Sequence, residues 1–72
     1  MEQGIVLFFD PLKGFGKIRH SVKGEIFIHI NDLREQIYSG DMVSFRIVEA
    51  TDGSFRAVEV KKTIRNGKAN KF

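Results

Sequence analysis

The sequence predicts an all-β domain closed into a small five-stranded barrel, and three observations point there. Five short runs are rich in β-branched and aromatic residues, at residues 4–9, 15–19, 25–30, 42–49 and 55–63. Turn-forming clusters separate them at regular intervals. With only 72 residues, closure is favoured because it removes the sheet edges that a small open sheet leaves exposed.

In the first run, Gly4 to Phe9, Val6 is expected to face the core and Ile5, Leu7 and Phe9 the opposite side, with Phe8 in the core or at its rim. Asp10-Pro11 starts a turn, because proline has no N–H to donate. Gly14 and Gly16 flank Phe15, and such glycines mark a bend or a close backbone approach within a strand. Ser21 to Gly24 reads as a hairpin turn, with Gly24 suited to a positive φ. Asn31 to Gln36 allows one helical turn, capped by Asn31 or Asp32. Ser39-Gly-Asp41 and Thr51-Asp-Gly-Ser54 are further turns. The fourth run places Val43, Phe45 and Ile47 on one side. The fifth places Val58 and Val60 together, with Arg56 and Lys62 near its ends. From Asn66 the pattern fades, so a domain over residues 1–63 and a basic, disordered tail over 64–72 are expected.

The length sets one domain with a marginal core. A composition of 42% hydrophobic and 29% charged residues fits a globular chain. The absence of cysteine leaves neither disulfides nor thiolate metal sites. No signal peptide is visible, and no run approaches the roughly 18 apolar residues of a membrane span. A soluble cytoplasmic protein is expected. The net charge of +3 is unevenly spread. Residues 61–72 carry five Lys or Arg and no acid, whereas residues 1–60 carry seven against nine acids. Pro11 to Gly24 holds Lys13, Lys17, Arg19 and Lys23, plus His20, and no acid, which fits a phosphate-facing patch as well as a solvated hairpin.

The stretch from Lys13 to Ile30 carries the functional signal. Strand alternation puts Phe15, Lys17 and Arg19 on one side of the first half. In the second half, Glu25, Phe27 and His29 share one side, and Ile26, Ile28 and Ile30 the other. Paired as a hairpin, the two halves set Phe15, Phe27 and His29 side by side with Lys17 among them. Rings on a water-facing sheet suit stacked bases. The inside is claimed by Ile18, Ile26 and Ile28, which favours stacking over packing for Phe15 and Phe27.

These residues match a known family. Lys13-Gly-Phe-Gly-Lys-Ile18 and Glu25-Ile-Phe-Ile-His-Ile30 resemble the two RNA-binding motifs of the cold-shock domain family. Gly4 with Val6, Phe8-Phe9-Asp10, Gly40 with Val43 and Phe45, and Ala57 with Val60 extend the resemblance over roughly residues 4–62. It implies an all-β, five-stranded antiparallel OB-fold barrel that binds single-stranded RNA or DNA without catalysis, as an RNA chaperone or a regulator of transcription or translation. The aromatic platform is depleted. Phe8 stands for a tryptophan, Lys17 and Ile30 for aromatics, and Leu7 for a common lysine. The loop from Leu33 to Ile37 is short and lacks its aromatic. Weaker binding than a typical member, with steeper salt dependence, is expected.

The expected nucleic-acid contacts are Phe8, Phe9, Lys13, Phe15, Lys17, Phe27, His29 and Arg56, the rings for bases and the cations for phosphates. Phe45 and Phe55 are packing residues. No nucleophile–base–orienter set is visible, so an enzyme is not expected. Two histidines without cysteine give no metal site, and no cofactor or small-molecule substrate is expected. A monomer is favoured, with a dimer open. The alternative reading is a degenerate barrel serving protein interaction or self-association through an apolar patch of Ile5, Leu7, Phe9 and Ile30.

Overall fold

The computed structural model describes residues 1–63, and the expected tail over 64–72 lies outside them. Five strands form, β1 (Glu2–Asp10), β2 (Phe15–His20), β3 (Gly24–His29), β4 (Met42–Glu49) and β5 (Phe55–Lys62). They close in the order β1-β2-β3-β5-β4. The expectation of a purely antiparallel barrel needs one correction: β3 and β5 run parallel, through Phe27 opposite Arg56 and Ile28 opposite Ala57. The β3–β4 connection carries the chain across the barrel end before β4 begins, so β5 returns in the same direction as β3. No helix among the described residues is long and apolar enough to cross a membrane.

The interior is filled by aliphatic side chains and one phenyl ring. Val6, Ile18, Ile26, Ile28, Val43, Phe45, Ala57 and Val60 are all essentially sealed from solvent. Phe9, Leu33, Ile47 and Phe55 pack against this cluster from the rims. Phe45 and Phe55 are thus packing residues, as the pattern indicated.

Two bulges break strict alternation. In β1, Val6 pairs with Ile18 but Phe8 with Lys17, leaving Leu7 as the extra residue. Val6 therefore points inward, Phe8 outward beside Lys17, and Phe9 inward beside Gly16. The expected orientation of Phe9, opposite to Val6, is overturned by this one-residue slip. In β5, Ser44 pairs with Lys61 and Arg46 with Val58, so Glu59 and Val60 together face Phe45. Glu59 takes φ 54°, the left-handed region that a non-glycine residue enters at a cost of about 1–2 kcal/mol. The bulge buries Ala57 and Val60 three residues apart and leaves Val58 half-buried, correcting the expected Val58–Val60 face.

Gly16 makes the β1–β2 seam possible. A Cβ at Gly16 would meet the Phe8 carbonyl oxygen and lie 2.8 Å from Phe9 Cα. Real Cβ atoms do not approach backbone so closely, so only glycine lets β1 lie against this point. Gly14 takes φ 80° in the preceding turn, where Asp10 Oδ1 accepts from the Leu12 and Lys13 amides at 3.0 and 3.2 Å. The connection before β4 is stitched to β1, with Gly40 N–H donating to Val6 O at 2.7 Å and Val6 N–H to Asp41 O at 2.9 Å.

His20 pins the other end of the barrel. It is buried edge-on against Phe45 at 6.3 Å. Its Nδ1 accepts from the Val22 and Lys23 amides, both at 3.1 Å. That leaves Nε2 to carry the proton and donate to Glu2 Oε1 at 2.7 Å. The ring therefore orders the β2–β3 turn and anchors the start of β1. The Glu2 carboxyl is held below its usual range, chiefly by this hydrogen bond and further by the positive charges of the N-terminus and Lys23.

Two outcomes are expected. Gly16→Ala forces β1 away from β2 and lowers stability by about 1–3 kcal/mol in urea unfolding, the range for overpacking. A lowered folded-state pKa means Glu2 adds stability above its unfolded value, roughly 4.3, and loses it as the pH falls through the folded one. Glu2→Gln should thus be less stable at neutral pH and converge on the parent at acid pH; parallel curves throughout would contradict the assignment.

Candidate nucleic-acid interface

The β2–β3 register builds the site. Phe15 faces His29, and Lys17 faces Phe27. The Phe15 and Phe27 rings lie nearly parallel, 22° apart, with centroids at 6.0 Å. The β1 bulge adds Phe8, whose ring meets Phe15 edge-on at 6.2 Å. Phe8 and Phe27 are 40% and 39% exposed, far too much for packing residues in so small a barrel. Phe15, between them, is half-buried. The three rings form one contiguous surface outside the barrel, as the hairpin reading anticipated for Phe15 and Phe27.

Read across the strands, one row runs Phe8, Lys17, Phe27, Arg56. Rings and cations alternate along it. Each cation has an acidic neighbour: Lys17 Nζ lies 3.1 Å from Glu25 Oε1, and Arg56 Nε lies 3.2 Å from Asp32 Oδ2. The first pair is exposed on both sides and is worth little in stability. In the second, Asp32 is mostly buried, at 16% exposure, whereas Arg56 is half exposed. Arg19, outward on β2 opposite Glu25, and Lys13, exposed in the β1–β2 turn, complete the local positive charge.

His29 is exposed at the end of β3 and belongs to the ring surface. It also caps the single 3-10 turn Ile30–Asp32, its Nδ1 accepting from the Asn31 amide at 3.1 Å. The expected cap, Asn31 or Asp32, is corrected: the turn starts earlier, so the preceding residue meets its free amide. Phe9 does not join the exposed rings. It lines one wall of an apolar cleft of about 350 Å³ with Pro11, Ile30, Leu33, Ile37 and Tyr38. Ile30 is tied to the β1–β2 turn by its amide donating to Gly14 O at 2.9 Å. The cleft therefore adjoins the ring surface at the barrel end.

Ile5, Leu7, Phe9 and Ile30 do not all share one face, although Phe9 and Ile30 line the same cleft. Ile5 points outward beside Arg19 and Met42, while the bulge turns Phe9 inward. Sequence reasoning missed Tyr38, which lies just past the short loop. It also missed the placement of Arg56 beside Phe27, which only the parallel β3–β5 pairing produces. Among the described residues, no cluster of three or more histidine or acidic side chains could hold a metal ion.

A closed five-stranded barrel with exposed rings and cations on its β1–β3 face is an OB-type architecture. The description 'Cold-shock' DNA-binding domain matches residues 2–63, and the chain belongs to the cold-shock domain family. The chain is 36% identical over 67 residues to the Retron Se72 cold shock-like protein of Salmonella heidelberg, covering 86% of this chain and 98% of that protein. It is 34% identical over 65 residues to cold shock protein CspA of Staphylococcus saprophyticus, covering 85% and 98%. Among solved structures, drosophila Unr CSD456 shares the fold, with a TM-score of 0.73 and 23% identity over 92% of this chain and 28% of that longer one.

Proposed function

We propose that this protein binds single-stranded RNA or DNA on its β1–β3 face, as a cytoplasmic monomer without catalysis, and serves as an RNA chaperone or a regulator of transcription or translation. The contiguous, solvent-exposed surface of Phe8, Phe15 and Phe27 carries the reading. Each base stacked on a ring contributes about 1–3 kcal/mol by alanine substitution, with little regard for its identity. Lys13, Lys17 and the other cations of the β2 side draw the phosphates, and His29 extends the ring set. Phe9 acts from the cleft wall. A protein that binds the open strand and not the closed one opposes weak hairpins by mass action.

Membership in the family and the matches to cold shock proteins support this reading. Titration of a labelled pyrimidine hexamer against salt tests it. Three or four phosphate contacts give a log–log slope of about −2 to −3 on a single strand. Phe15→Ala with Phe27→Ala should weaken binding by about a hundredfold or more while the barrel stays folded. A slope near zero, or no binding at low salt, would falsify the reading. Glu25→Gln releases Lys17 for phosphate. Binding at low salt should strengthen by about twofold to threefold, on the scale of an exposed ion pair, with a steeper slope; an unchanged slope would mean that Lys17 does not meet phosphate.

A further inference from the structure

Arg56 sits where a phosphate contact would be unremarkable, yet its surroundings suit a different task. Its Nε faces Asp32 Oδ2 at 3.2 Å, and Asp32 is mostly buried in the 3-10 turn after β3. The carboxylate offsets the net charge that a phosphate would seek. It also gives the guanidinium a charged partner at its Nε side, and the planar fork is the useful property of arginine over lysine. Among the described residues, the two terminal amino groups of Arg56 have no other partner. In register, Arg56 is the partner of Phe27 on the adjacent parallel strand, and neighbouring strands lie about 4.7–4.9 Å apart. A base lying on Phe27 therefore turns one edge toward the free fork.

From this placement we infer that Arg56, positioned by Asp32, reads the edge of the base stacked on Phe27 and selects guanine there. A guanidinium fork offers two parallel donors. Guanine presents two acceptors side by side, O6 and N7, whereas adenine presents an acceptor and a donor on the same edge. The remaining stacking positions stay sequence-tolerant, so the preference belongs to one nucleotide in the bound strand. Asp32 is a positioning residue that acts through Arg56. The inference rests on the single-strand reading of the ring surface.

The test is a set of labelled hexamers, oligo-uridine and its variants with one guanine or one adenine at each position in turn. At one position guanine should strengthen binding about tenfold over uracil, the lower part of the range for a bidentate contact because Arg56 is half exposed. Adenine should not, and 7-deazaguanine, which lacks the N7 acceptor, should lose most of the gain. Arg56→Lys keeps the charge but not the fork; guanine should then bind no more tightly than uracil at that position. Asp32→Asn should reduce the gain without strengthening oligo-uridine binding. The inference is overturned if guanine gives no gain at any position. It is equally overturned if Arg56→Lys retains the gain, or if Asp32→Asn strengthens all hexamers alike, as release of a phosphate-binding charge would. Failure of every hexamer to bind would instead remove the single-strand reading itself.

Discussion

The barrel is too narrow to hold both its branched aliphatic residues and its rings, and that volume limit shapes the rest of the molecule. Protein interiors pack to crystal-like density, with no slack for an extra ring. Ile18, Ile26, Ile28, Val6, Val43 and Val60 take the space together with Phe45. Phe8, Phe15 and Phe27 are then left on the outside of the same strands, in mutual contact. The exposed surface is thus a consequence of how the interior is filled. Gly16 supports both sides of the arrangement: its missing side chain lets β1 close on β2, which brings Phe8 to the row of Lys17 and Phe27.

Much of this was legible in the residues. The alternation of Ile26, Phe27, Ile28 and His29 fixes which side faces inward, and the hairpin pairing of Phe15 with His29 follows from the turn at Gly24. The two bulges were not legible. A single extra residue at Leu7 or Glu59 reverses the facing of everything after it, and no local signal at either site demands the slip. Phe9 and Val58 were misplaced for that reason. The neighbour of Phe27 on β5 was also beyond reach, because it depends on how two strands far apart in sequence meet as the barrel closes. His20 illustrates a third limit. As one basic residue in a basic segment it looked like part of a surface patch, whereas it is buried and holds a turn and a strand end together.

The charges on the ring face are tempered. Lys17 and Arg56 flank Phe27, and each stands beside a carboxylate supplied by a neighbouring residue. Glu25 is exposed and holds Lys17 loosely, so that cation can exchange its partner at small cost. Asp32, beside Arg56, is largely buried. Two cations in the same row therefore differ in surroundings, one beside an exposed carboxylate and one beside a largely buried one, which is a physical basis for different roles. Lys17 stands at one position where the family resemblance implies an aromatic, and Arg56, beside Phe27, offers a flat face of its own.

The small interior has a thermal corollary. Heat-capacity change on unfolding scales with chain length, at roughly 12–15 cal/mol/K per residue. A barrel with one buried phenyl ring and a handful of valines and isoleucines has correspondingly little of it. Its free-energy curve against temperature is correspondingly shallow. The stability of such a scaffold therefore varies gently between warm and chilled conditions.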